Sequence, residues 1–420
     1  MTSKLVASQQ FEVLRTLIEP TAVRLREAGH QLFFVGGIVR DLLLAADGEG
    51  PADFSDVDLT TDARPKAIKH AVASSADSIW TQGERFGTIG AMIGDHAFEI
   101  TTHRAEAYDP TSRKPVVSFG DDLETDLSRR DFTVNAMAID VSAGTLADPF
   151  GGRADLWAHR LRTPLDPEIS FTDDPLRMLR AARFIPRFGL APSPDVLAAA
   201  IALADRLTIV SGERIHDELE KMLGLPSPAT GLRFLLDAGL LNQLGLASAS
   251  DALDRIAVLP TARARRAGLL LAMSDDDALA FLELLRYSNA DRRSTMRLLA
   301  GARSLVEEWR PDRSKPLLRF IATTTGAEAM DDVISVASLA GLSDADQAAS
   351  TEVLAELRRT EDLDDRSSPL EGEEIMELLQ LASGPAVGDA VRFLEGLRVE
   401  RGPLTPEEAR SELLGWAELS

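Results

Sequence analysis

Apolar positions recur every three or four residues from 9 to 29, the period of an amphipathic helix, and Gly29 marks its end. Short apolar runs follow at Leu32–Val35, Gly87–Ile93, Ala97–Thr101 and Val134–Val141, and these read as strands. Between them the pattern predicts helices at 37–45, at 65–75 behind Pro65, and at 121–128. Residues 104–120 are polar, with two prolines and a glycine, and carry no period; they read as a mobile loop. Alternating strands and helices predict an α+β head with a mixed β-sheet. From Pro175 onward the strand signal stops. Helical periods appear near 174–186, 194–205, 212–224 and 227–238, and then through the remainder. No fixed-period repeat is present. The expected division is a head over 1–150, a helical neck over 151–225 and a helical body and tail over 226–420.

A chain of 420 residues is too long for one core, in keeping with several domains. It has no cysteine, which excludes disulfides, thiol catalysis and thiolate metal sites. No run of about 18 apolar residues is found, so the expectation is a cytoplasmic protein with no membrane span. The formal net charge of −22 argues against a nucleic-acid binder taken as a whole. The charge is uneven, however. Arginines crowd 177–187, and acids crowd 361–365 and 371–374. A locally basic groove on an acidic chain is compatible with this.

The chemistry is concentrated early. Gly36-Gly37-Ile38-Val39-Arg40-Asp41 follows the strand Leu32–Val35. Two glycines allow a tight turn and close approach to a ligand. The turn feeds a helix N-terminus, which favours anions, and Arg40 in its first turn offers a bidentate phosphate contact. Asp56 and Asp58 are two apart and on a strand would share one face. Such a pair suits Mg²⁺ bound together with substrate phosphates, although an isolated Asp-x-Asp equally describes a solvated loop. Glu99, flanked by Phe98 and Ile100, reads as a third carboxylate beside the pair or as an edge-strand acid facing solvent. Arg129-Arg130-Asp131 reads as a charged turn before a buried strand, or as arginines beside a nucleotide with Asp131 orienting them.

Asp173-Asp174-Pro175 then begins a helix containing Arg177, Arg180 and Arg183. An acidic cap with Pro at the first position is a helix start. The three arginines fall within roughly a 120° arc at about 100° per residue, the pattern of a solvated basic face. A sharper reading pairs Asp174 with Arg177. A carboxylate accepts from an exocyclic amine and a guanidinium donates to ring acceptors, which would select cytosine and adenine over guanine and uracil. His216-Asp217 sits in an ordinary amphipathic helix, and no histidine lies beyond it.

Taken in order, these pieces resemble the bacterial tRNA nucleotidyltransferases: the class II CCA-adding enzymes and the closely similar bacterial poly(A) polymerases. The resemblance spans 32–225. It includes Asp148-Pro149-Phe150-Gly151-Gly152 and Glu213-Arg214-Ile215 besides the stretches above. It implies a nucleotidyltransferase palm as head, followed by an all-α neck, body and tail. It implies that Asp56 and Asp58 bind Mg²⁺, with Glu99 as the third catalytic carboxylate. Gly37 and Arg40 would meet the triphosphate; Arg130, Arg180 and Arg183 would meet phosphate or ribose; Asp174 and Arg177 would read the base. The loop 104–120 matches one that assists the change from C to A addition. The expected activity is template-independent addition of C, C and A to the tRNA 3′ end from CTP and ATP, with release of pyrophosphate. An A-adding or poly(A)-adding relative is the nearer alternative, and a non-catalytic RNA-binding protein the more distant one. Many relatives carry a histidine–aspartate phosphohydrolase domain after the neck. The missing histidines imply that this second activity is absent here.

Overall fold

The computed structural model describes residues 9–46, 54, 56–107, 116–120, 122–365 and 367–418. The chain divides into two compact units. One runs to Val210 and includes Phe234–Gln243; the other comprises Ser211–Arg233 and everything from Leu244 on.

The first unit is built on a seven-stranded sheet. Its elements are α1 (Gln9–Glu27), β1 (Leu32–Val35), α2 (Gly37–Ala46), β2 (Asp56–Thr61), α3 (Pro65–Val72), β3 (Ser78–Trp80), β4 (Thr88–Ile93), β5 (His96–Thr102), β6 (Arg104–Ala107), β7 (Val116–Phe119), α4 (Leu123–Ser128), β8 (Ala138–Asp140) and β9 (Leu146–Ala147). The strand order is β3-β4-β5-β2-β1-β8-β9. Only β2 and β5 run parallel; the other pairs are antiparallel, so the expected mixed sheet is present.

Period-2 alternation decides what each face does. Along β2, Val57 and Leu59 are buried while Asp56 and Asp58 are exposed. Ile89 and Ala91 on β4 and Phe98 and Ile100 on β5 join the buried face. That face is covered by α1, whose Phe11, Leu14, Ile18 and Leu25 are buried, and by α3 with Ile68 and Val72. The opposite face is closed at one end only. There Phe33 and Val35 of β1 and Ala138 of β8 pack with Leu127 of α4. Beyond β1 this second face turns polar, and it carries the carboxylates.

Three expectations need correction. The run from Val134 does not enter a strand directly: Thr133–Asn135 forms a 3-10 turn and the strand begins at Ala138. The turn brings Asn135 into a buried hydrogen-bond network, and an extended start would not. The segment 104–120 is not wholly irregular, because β6 and β7 pair as a hairpin; its residues 108–115 lie outside the described residues. Strand β3, which periodicity passed over, forms the edge of the sheet.

The helices that follow the sheet within the same unit are α5 (Gly152–Trp157), α6 (Pro167–Asp173), α7 (Leu176–Phe188) and the helix Pro194–Ala202, whereas the helix Gly212–Leu223, inside the expected neck, belongs to the second unit. In α7, Met178, Leu179, Ala181, Ala182 and Ile185 are buried. The N-cap of α7 is Pro175 and not an acid; Asp174, at the end of α6, still accepts from Leu176 N at 3.2 Å. The second unit is helical throughout its described residues. Arg265 is buried there and donates to the carbonyls of Leu223, Leu225 and Leu259 at 2.5–2.8 Å, which answers carbonyls at and just beyond helix ends. His216 packs its ring on Tyr287 at 4.0 Å. Among the described residues no helix is long and apolar enough to cross a membrane.

Candidate active site

Strand pairing brings the three predicted carboxylates together. Asp58 lies opposite Glu99 on parallel neighbouring strands, and Asp56 opposite Ala97. All three therefore project from the same, solvent-open face. Asp58 is densely surrounded, and this partial burial pushes its carboxyl above the ordinary range; Arg130 pulls it back and Asp56 adds to the rise. Glu99 is pushed up as well, by burial first and then by Asp58 and Asp56. Carboxylates that raise one another in this way are a donor set for a hard divalent cation, which prefers oxygen ligands. The chemistry of the donors therefore fits a metal. Among the described residues, no three His, Asp or Glu side chains already converge on a single point.

The glycine turn faces this group. Gly36 has φ +80°, a left-handed conformation that favours glycine. Any Cβ there would lie 2.8 Å from Arg130 Nη1 and 3.9 Å from Asp58 Oδ2. The turn thus lets a guanidinium sit beside the carboxylates. Arg130 is steadied by Asp126, which is buried and also holds Arg129, at 3.2–3.3 Å. Thr60, two residues beyond Asp58, meets His103 Nδ1 at 2.8 Å and Asp126 at 3.4 Å. Burial holds His103 below the ordinary imidazole range. Sequence reading missed Asp126, Thr60 and His103. The detectable signal was Asp126 three and four residues before two arginines, the spacing of ion pairs on a helix.

Other predicted ligands are engaged internally. Arg40 is buried, donates to Asn135 Oδ1 at 2.6 Å and to Asp41 Oδ1 at 2.8 Å, and stacks 4.0 Å from the Phe188 ring centre. Asn135 donates to Asp131 Oδ1 at 2.9 Å, and Arg180 donates to Asp131 Oδ2 at 2.6 and 2.9 Å. Burial would raise the Asp131 carboxyl, but Arg180, Asn135 and the Phe132 amide outweigh it and hold it low. Arg183 is also buried and lies over Phe184 at 4.7 Å. The basic stripe of α7 is therefore not a solvated face. Gly37 sits at the N-terminus of α2 with Arg40 Nη2 3.3 Å from where its Cβ would be. Arg177 donates to Ser170 Oγ at 2.8 Å and Arg129 O at 2.5 Å, one turn from Asp174. The structure thus keeps Asp174 and Arg177 one turn apart at the start of α7 and ties Arg177 to the segment bearing Arg129 and Arg130.

Comparison with known proteins shows the family to which the chain belongs. Residues 32–162 match the poly(A) polymerase head domain, and residues 189–249 match a domain described as a probable RNA and SrmB-binding site of polymerase A. The CCA-adding enzyme of Lactobacillus johnsonii is 34% identical over 289 residues, 67% of this chain and 70% of that protein. That of Geobacillus stearothermophilus is 38% identical over 218 residues, 52% of this chain and 51% of that protein, so the alignment spans about half of its length. A crystal structure of the Bacillus stearothermophilus CCA-adding enzyme in complex with CTP superposes with a TM-score of 0.78 at 27% identity, covering 98% of this chain and 99% of that one. A carboxylate row on an open palm face, the arginine-bearing turn beside it and these matches over the head and neck lead to one conclusion: the chain belongs to the family of CCA-adding enzymes, nucleotidyltransferases with a poly(A) polymerase head.

Proposed function

We propose that the protein adds C, C and A, without a template, to the 3′ end of tRNA in the cytoplasm, using CTP and ATP and releasing pyrophosphate. The observation that carries this reading is the in-register pairing of Asp58 with Glu99, with Asp56 on the same face and Arg130 beside them.

In this reading Asp56 and Asp58 hold Mg²⁺ and Glu99 completes the acidic group. Bound Mg²⁺ supplies charge neutralisation at the phosphates and eases deprotonation of the attacking hydroxyl. The chain's own residues do the positioning, which is the larger part of phosphoryl-group catalysis. The terminal 3′-hydroxyl attacks the α-phosphate in line; the new P–O bond forms as the bond to pyrophosphate breaks. Arg130 lies beside the carboxylates and offers its guanidinium to the phosphates or ribose. Gly37 at the start of α2 leaves backbone amides open to the triphosphate. Arg40 and Arg180 act from behind, Arg40 by fixing α2 and Arg180 by fixing the Asp131 turn; Arg183 supports α7 from its buried side. Asp174 and Arg177 read the base. Arg177 uses three of its hydrogen-bonding directions internally, and a guanidinium has five, so two remain for ring acceptors. RNA is taken by its shape, in keeping with the acidic chain.

The test incubates the purified protein with tRNA ending before CCA, after C, or after CC, and with each nucleotide separately. Ordered incorporation of C, C and A is expected. Addition of A alone, or of a run of A, would replace this reading by the A-adding one. Incorporation of no nucleotide would remove it. Arg177→Ala should relax or abolish the choice of C and A; unchanged selectivity would mean that the base is read elsewhere.

A further inference from the structure

At the free edge of the sheet, the β3–β4 hairpin lays an indole on the face that holds the carboxylates. Trp80 pairs with Gly90, Gly90 with Glu99, and Glu99 with Asp58. Paired positions on neighbouring strands project to one face, so this row ends in an aromatic ring. Gly90 makes room for it. A Cβ at Gly90 would lie 1.9 Å from Trp80 Cε2 and 2.0 Å from Nε1. An interior strand glycine often marks such a close approach. The ring therefore covers Gly90, which is buried, while Trp80 itself stays partly exposed. Among the described residues the indole has no aromatic neighbour, and its N–H has no acceptor. The turn between the two strands carries Phe86, 42% exposed, with the Arg85 guanidinium 4.4 Å from its ring centre.

Covering Gly90 explains one side of the indole. It does not explain an open aromatic face beside three carboxylates, with an arginine and a second exposed aromatic on the adjoining turn. Aromatic rings interleaved with arginine are the surface on which single-stranded nucleic acid stacks.

We propose that Trp80 is the stacking platform for the terminal base of the RNA that is being extended. The proposal rests on the nucleotidyl-transfer reading above. Strands lie about 4.8 Å apart, so the ring stands about one strand from Glu99 and about two, roughly 10 Å, from Asp58. A single nucleoside spans from its base to its own 3′-hydroxyl across such a gap. The base of the incoming nucleotide belongs to Asp174 and Arg177, which leaves the edge platform to the RNA end. Stacking tolerates every base. That suits a site whose RNA end changes identity after each addition.

The test compares Trp80→Leu and Trp80→Phe by steady-state kinetics, with tRNA and CTP varied separately. Trp80→Leu is expected to raise KM for tRNA about tenfold and leave KM for CTP within about twofold. Trp80→Phe, which keeps a stacking ring, should hold KM for tRNA near the wild-type value. An unchanged tRNA KM in Trp80→Leu overturns the proposal, as does an effect confined to CTP. Equal impairment in both variants assigns the loss to packing and overturns it too. A second measurement needs no turnover: tryptophan fluorescence is titrated with a short oligonucleotide ending in CC, without nucleotide. Quenching in the wild type that is lost in Trp80→Phe is expected; the same quenching in both overturns the platform. If the wild type incorporates nothing, the activity reading fails by itself, and the titration still decides whether RNA stacks on Trp80.

Discussion

Two charged regions of the first unit are built on opposite plans. On the open face of β2 and β5, like charges stand together, and Asp58 and Glu99 are pushed upward by burial and by one another's neighbours. At the junction of α2, the 3-10 turn and α7, charge is answered by charge: Arg40 meets Asp41 and Asn135, Asn135 meets Asp131, and Asp131 meets Arg180. The first arrangement gains from a ligand, and the second is complete without one. The difference teaches how to divide a charged motif. In the proposed reading, residues whose partners lie inside the protein position the site, and residues left facing one another do its chemistry.

The sharpest way to break this comparison is Asp58→Ala. In the proposed reading it removes a cation-holding carboxylate worth several kcal/mol of charge stabilisation, so incorporation should fall by at least about a thousandfold. The melting temperature should hold or rise, because a repulsive pair is relieved. Near-normal activity would show that the row is not the catalytic group. A lowered melting temperature would show that the face is structural after all.

Asp131→Ala attacks the other plan. Removing one partner of a buried pair costs about 3–5 kcal/mol, and here it also leaves Asn135 and Arg180 unanswered. Urea unfolding should register that loss, and an unchanged midpoint would break the comparison. Its pH dependence carries a definite sign. The Asp131 carboxyl is held below its ordinary value in the folded protein. Its contribution is therefore complete above the ordinary carboxylate range and is lost as pH falls through that range and below. The acid limb of wild-type stability should be steeper than that of Asp131→Asn, and parallel limbs would contradict the assignment.

The division between the two plans was only partly legible in the sequence. Alternation in Asp56-Val57-Asp58-Leu59 exposed the carboxylate face, because strand periodicity is a local property. The pairing of Asp58 with Glu99 needed the sheet order, which no local pattern contains. The arginines of α7 show the limit most clearly. Spacing placed Arg177, Arg180 and Arg183 on one stripe, and a stripe of charge on a helix usually faces water. Whether it does depends on what packs there. Here Asp131, forty-nine residues before Arg180 in sequence, and the ring of Phe184 take up two of the three. Trp80 escaped for a different reason. Strand β3 is three residues long, too short to show a period, and its significance comes only from the empty position at Gly90.

Gly36→Ala sits where the two plans meet. A residue with a Cβ at φ +80° costs about 1–2 kcal/mol, and the new methyl would press on Arg130 Nη1 at 2.8 Å. If the turn only links β1 to α2, stability falls by that amount and turnover stays. The arrangement described here predicts more: kcat should fall about tenfold beyond the stability loss, because Arg130 moves away from Asp58. Kinetics measured well below the melting temperature separate the two outcomes.

The smallest effect is expected at Asp122, which shapes the carboxylate face from a distance. Its side chain caps α4, accepting from Thr125 N at 2.8 Å and from the Thr125 hydroxyl at 2.6 Å. Those two bonds hold its carboxyl below the ordinary range. Helix α4 carries Asp126, which steadies Arg129 and Arg130. The cap thus reaches the active face through one helix and one carboxylate. Losing it by Asp122→Ala should cost about 1 kcal/mol of stability. Turnover should change by less than about threefold, because Leu127 also pins α4 to Phe33 and Val35. Asp122→Asn, which can still cap, should recover most of the stability. A tenfold loss of kcat in Asp122→Ala would mean that Arg130 depends on the cap and not on the packed face of α4. The arginine would then belong to the self-contained plan of the junction and not to the open plan of the carboxylates.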